Sequence, residues 1–87
     1  MSQQYIFDAY AIKQDATLMH FDVILAENHA TRAFQVAELW LQTQVTAPQK
    51  LTLKSCNFCH SSKANPRFTQ AIQQQGYAIL PLEGCAP

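Results

Sequence analysis

The densest chemistry in this sequence lies in Cys56-Asn57-Phe58-Cys59-His60. Two cysteines separated by two residues can hold a metal, hold a haem, exchange electrons or simply pack. Cys-x-x-Cys-His is the attachment signature of c-type haem. Attachment happens outside the cytosol, and Met1 to Tyr5 lack the basic start and apolar run of an export signal. No haem is therefore expected. Two thiolates at this spacing can instead form half of a tetrahedral zinc site, with Cys85 and one histidine completing it. His60 is the candidate histidine, although two adjacent residues ligate one ion awkwardly. His29 is the alternative. A thiol redox enzyme needs a thiolate stabilised near a helix start, and cysteines are also good small core residues. Zinc, thiol chemistry and plain packing all stay open at this point.

A second constellation lies near the amino end. Asp8, Tyr10, His20 and Asp22 fall on one face of two alternating runs, "QYIFDAYAI" (residues 4 to 12) and "TLMHFDVIL" (residues 17 to 25). An Asp-His pair can orient an imidazole for acid-base work or for a metal. It can equally be a satisfied polar network under a half-buried sheet. With a Lys13-Gln14-Asp15 loop, Asp8 lies opposite His20. With a Gln14-Asp15-Ala16 loop, Asp8 opposes Asp22 and Tyr10 opposes His20. The first register is favoured: Asp15 tolerates left-handed geometry better than Ala16, and two carboxylates do not then face each other.

These groups must be positioned by a short chain. Its 87 residues make one domain, residues 1–87, with 48% apolar residues and a formal net charge of zero. Only 14% of residues are charged. Such a chain has no electrostatic footprint for nucleic acid and no run of about 20 apolar residues for a bilayer. A cytoplasmic protein is expected, since three cysteines and no export signal do not suit a disulfide scaffold. The charge-poor surface favours self-association.

The alternating runs predict a hairpin. Asn28 is a candidate cap for a helix running to about Thr43, with Ala30, Ala33, Phe34, Ala37, Trp40 and Leu41 on its apolar stripe. A short strand over residues 50–55 and a Cys-rich loop follow. Asn65-Pro66 then starts a second helix that Gly76 stops. "YAILPL", residues 77–82, is the last strand, and Pro81 marks it as an edge strand or a strand end. The expected fold is α+β and two-layered, in the order β-β-α-β-α-β. Its mixed four-stranded sheet would have the last three strands parallel, and both helices would cover one face. The other face would carry Ile6, Tyr10, Leu18 and Ile24, which a homodimer could bury. Parallel strands would bring Cys56, Cys59, His60 and Cys85 to one sheet edge, where ligand sites in parallel sheets collect. His20 would stand on the order of 17 Å from that edge, so the two constellations would remain separate within one subunit.

"MHFD" (Met19 to Asp22), "CNFCHS" (Cys56 to Ser61), "QGY" (Gln75 to Tyr77) and "EGC" (Glu83 to Cys85) together resemble a bacterial domain-of-unknown-function family of similarly short proteins. The resemblance covers Tyr5 to Cys85. It implies a small α+β domain and no activity. It directs attention to His20, Asp22, Cys56, Cys59, His60 and Cys85. The sequence thus points to a small binding module with a Cys/His zinc site, and it leans away from an enzyme. A thiol redox enzyme and a purely structural or interaction domain are the alternatives.

Overall fold

The computed structural model describes residues 3–45 and 50–84. The chain forms β1 (Gln3–Lys13), β2 (Leu18–Leu25), α1 (Ala30–Gln44), β3 (Leu51–Lys63), α2 (Pro66–Gln75) and β4 (Ala78–Pro81). The four strands make one sheet in the order β3-β1-β2-β4. Every neighbouring pair is antiparallel, which corrects the expected mixed sheet.

The reason lies in β3. It runs for 13 residues rather than six, because nothing between Leu51 and Ala64 is Gly or Pro and no turn interrupts it. A strand of that length satisfies its backbone best along the whole free edge of β1, from Lys13 opposite Leu51 to Gln3 opposite Lys63. The expected Cys-rich loop is therefore strand. Because β3 pairs with β1 and β4 with β2, β3 and β4 run in opposite directions and end at opposite ends of the sheet.

The β1–β2 hairpin adopts the second register, with Asp8 opposite Asp22 and Tyr10 opposite His20. Ala16 takes the left-handed conformation at φ 70°. Asp15 acts through its side chain instead: its carboxylate accepts from the Thr17 N–H at 3.0 Å, an Asx-type turn bond that fixes the loop without left-handed φ at Asp15. Lys13 N–H donates to the Thr17 carbonyl and Ala16 N–H to the Lys13 carbonyl, closing the loop.

The helices lie on opposite faces, which corrects the two-layer expectation. Phe7, Ala9, Ala11, Met19, Phe21, Val23 and Leu25 form the α1 face, packed on Ala33, Val36, Ala37 and Leu41. Trp40 lies over Phe21, ring centroids 4.5 Å apart. Ile6, Ile24 and Ala78 form a smaller core on the other face with Ile72 of α2, flanked by Phe68, Ala71 and Leu80. Ile6 and Ile24 are thus covered by a helix and do not call for a second copy of the chain. The same face has no helix over Asp8, Tyr10 and His20.

The caps explain how the helices are set. Asn65 caps α2, accepting from Arg67 N–H, with Pro66 in the first turn and Gly76 left-handed at φ 91° as the stop. His29, not Asn28, caps α1: its Nδ1 accepts from the Arg32 N–H at 3.0 Å. Gln4 is buried, 1% exposed. Its Oε1 accepts from Asn65 N–H at 3.1 Å, and its Nε2 donates to the Asn65 carbonyl and to Thr69 Oγ1, both at 3.3 Å. This side chain ties the start of α2 to β1.

Candidate functional site

Strand alternation and the observed register bring Asp8, His20 and Asp22 onto the α2 face of the sheet, beyond the part that α2 covers. Asp8 and Asp22 face each other directly across β1 and β2. His20, two residues before Asp22, reaches both: its Nε2 is 3.5 Å from Asp8 Oδ1 and 3.6 Å from Asp22 Oδ1. Tyr10, opposite His20, stacks on the imidazole at 4.3 Å with planes 10° apart. That stacking fixes the ring plane and aims Nε2 at the carboxylates. The candidate ligand atoms of these three residues lie within 4.8 Å of one another.

The antiparallel pairing of β3 adds what the expected topology excluded. Ile6 faces His60 while Phe7 faces Phe58, so Cys59 is an extra residue, a β-bulge. In a regular strand Cys59 and His60 would point to opposite faces. Phe58 turns to the α1 side against Phe7, centroids 5.5 Å apart. His60 lies across from Ile6, and Cys59 hydrogen-bonds Asp8. Cys59 Sγ is also 3.1 Å from His60 Nδ1. One subunit therefore combines Asp8, Tyr10, His20, Asp22, Cys59 and His60, contrary to the 17 Å separation expected from the sequence.

Cys56 goes elsewhere. It sits opposite Ala9 and packs, half-buried, against the α1-face core. The Cys-x-x-Cys spacing is thus divided between the two faces of the sheet. Cys85 lies outside the described residues. Its neighbour Gly84 is pressed against Leu18 at the start of β2, on the β4 side of the sheet and away from β3. His29, the alternative ligand, is engaged as the cap of α1.

Electrostatics follow from this crowding. Burial, then the hydrogen bond and charge of Asp8, push the Asp22 carboxyl up to about 6, with His20 and His60 pulling the other way. At Asp8 burial also raises the pKa, but hydrogen bonds with Asp22, Cys59 and His20 and the charge of His20 outweigh it, leaving this carboxyl below its ordinary value. Two carboxyls pushed apart in this way share a single proton in mildly acid solution, below the Asp22 value of about 6. Asp22 Oδ1 is buried with no hydrogen-bond partner among the described residues. Burial, helped by the charge of Asp8, pushes the Cys56 thiol up to about 11. Desolvation, then the hydrogen bond and charge of Asp8 and the charge of Asp22, also raise Cys59. Both directions are opposite to what a thiolate nucleophile requires.

The sequence offered no direct signal for Gln4, whose amide clamps α2, nor for the bulge at Cys59. Strand alternation alone puts Asp8, His20 and Asp22 on one face; their direct pairing, Asp8 opposite Asp22, belongs to the register that the sequence does not favour. Among the described residues, no helix is long and apolar enough to cross a membrane.

Residues 2–82 match the model of a family described as a domain of unknown function, DUF2024. The NMR structure of protein NE1680 from Nitrosomonas europaea is similar, with a TM-score of 0.78 and 36% sequence identity over 97% of this chain and 99% of that one. No curated protein matches. Neither the family description nor the structure's name states an activity, so the chemistry rests on the side chains described above. The chain belongs to the DUF2024 family of domains of unknown function.

Proposed function

We propose that this chain is a small binding module for a divalent metal ion of the zinc class, held by Asp8, His20 and Asp22. The observation that carries this reading is the spacing around Nε2 of His20. Bonds of about 2.0–2.1 Å at tetrahedral angles set ligand atoms about 3.4 Å apart. The two distances from Nε2, 3.5 and 3.6 Å, lie close to that value. The buried Asp22 Oδ1, which accepts no hydrogen bond from the described residues, supports the same reading, because a cation would satisfy it. Tyr10 contributes by holding the ring plane, the service that partners outside the coordination shell commonly perform. Three protein ligands leave at least one coordination position open.

The test is elemental analysis and zinc titration calorimetry on chain purified without a tag or chelator. About one ion per chain is expected, with binding lost in His20→Ala and Asp22→Asn. No uptake by the wild type at millimolar zinc would overturn the reading.

One observation favours a second reading. A carboxyl pair sharing one proton beside an oriented imidazole can act as an acid-base centre on a small molecule. It predicts that chemistry at the site survives chelator treatment. The thiol-enzyme reading is not favoured, because both described thiols are held in the protonated form.

A further inference from the structure

We infer that Cys59 is the fourth protein ligand of the same ion, and that the bulge in β3 exists to deliver it. This inference rests on the metal reading of Asp8, His20 and Asp22. The Cys59 thiol interacts with Asp8, itself one of the three ligands, so the sulfur stands at the rim of the site, outside the 4.8 Å group that Asp8, His20 and Asp22 form. Cys59 is exposed. Its side chain is therefore not locked by core packing, and a change between staggered χ1 wells is the motion that would carry Sγ from Asp8 toward His20 and Asp22. Regular pairing would have sent Cys59 and His60 to opposite faces. The extra residue between the Ile6–His60 and Phe7–Phe58 pairs brings both to the Asp8 side.

His60 is then a supporting residue rather than a ligand. Its Nδ1 lies 3.1 Å from Cys59 Sγ in the metal-free arrangement, a contact that holds the free thiol and is given up as the sulfur turns to the ion. That arrangement resolves the difficulty of two adjacent residues ligating one ion. On binding, the S–H bond of Cys59 breaks, the sulfur–metal bond forms and the proton leaves to solvent, with no change in oxidation state. Cys56, on the opposite face, takes no part. A set of two carboxylates, one imidazole and one thiolate selects zinc or cobalt over magnesium, calcium or manganese, because sulfur is a soft donor.

Cobalt(II) titration of the intact, reduced chain followed by absorption tests this. The wild type should show visible ligand-field bands together with a near-ultraviolet sulfur-to-cobalt charge-transfer band. Cys59→Ser and Cys59→Ala should keep a visible spectrum, lose the charge-transfer band and bind cobalt more weakly by about tenfold or more. Cys56→Ala, Cys85→Ser and His60→Ala should all keep the band. Cobalt binding by the wild type without the band would overturn the thiolate ligand and leave the three-residue site standing. Persistence of the band in both Cys59 variants would assign the sulfur to another cysteine and also overturn it. Absence of any cobalt or zinc binding would overturn both proposals together.

Discussion

Asp22 is where the fold gives up stability. Its carboxyl faces that of Asp8 across the hairpin, and burial together with that neighbour raises it from 3.8 to about 6. Between these values the folded chain holds a proton that the unfolded chain releases. Stability should therefore be highest in the acid part of the window and fall as pH rises from about 4 through 6. Above about pH 7 the full penalty is present. At about 1.36 kcal/mol per pKa unit the ceiling is roughly 3 kcal/mol, and solvent screening at a site open on one side reduces it to about 1–2 kcal/mol. Asp22→Asn removes the like charge and supplies an amide N–H that can donate to Asp8 in place of the shared proton. In metal-free chain at pH 7.5 it should be more stable than the wild type by about 1–2 kcal/mol, a rise in Tm of roughly 5–10 °C for a domain of this size. The gain should shrink toward zero near pH 4.5. Chelator-treated protein, unfolded by urea and by heat with circular dichroism detection at pH 4.5, 6.0 and 7.5, supplies the comparison. If Asp22→Asn is no more stable than wild type at pH 7.5, or keeps the wild-type pH dependence between 4.5 and 7.5, the account of the carboxyl pair is wrong. A residue that lowers stability in this way is what a binding site requires of its scaffold.

Gly84 sits at φ 75°, and a Cβ there would stand 2.1 Å from the Leu18 carbonyl oxygen; Gly84→Ala should lower stability by about 1–3 kcal/mol in urea unfolding and loosen the segment beside β2. Gln4→Ala strands the Asn65 N–H at the start of α2 and should lose about 1–3 kcal/mol, with amide exchange in α2 accelerating first. Cys56→Ser introduces a hydroxyl into the α1-face core and should destabilise by about 1 kcal/mol, whereas exposed Cys59→Ser should fall within about 0.5 kcal/mol of wild type in metal-free chain. Ile72→Ala, which empties the centre of the smaller core, should lose about 2–5 kcal/mol by the same urea measurement.

Much of the local structure was legible because its causes are local. The alternation in residues 4–12 and 17–25, the Asn65-Pro66 cap, the Gly76 stop and the edge position of Pro81 each depend on a few neighbouring residues. The reading went wrong where a distant partner decides. The end of β3 was placed at Ser55 because polar residues follow it, yet β1 offered an unpaired edge that carries the strand on to Lys63. The hairpin register turned on whether Asp15 or Ala16 accepts left-handed geometry. Propensity favours Asp15, but its side chain was already committed to the Thr17 N–H. Two right-handed crossovers between parallel strands would put both helices on one face; the antiparallel pairing of β3 and β4 removes that constraint, and nothing local links Ile6 and Ile24 to Ile72.

The sequence by itself determined which residues could do chemistry here and which face of the hairpin each occupies, because side-chain alternation is a property of a single strand. It could not determine which of them meet. Tertiary structure decided that Cys56 and Cys59 part company while Cys59 comes beside Asp8 and His60. The physical reason is that pairing direction and the bulge at Cys59 are set by backbone hydrogen bonds between β1 and β3, some fifty positions apart in the chain, and no spacing within "CNFCH" encodes them.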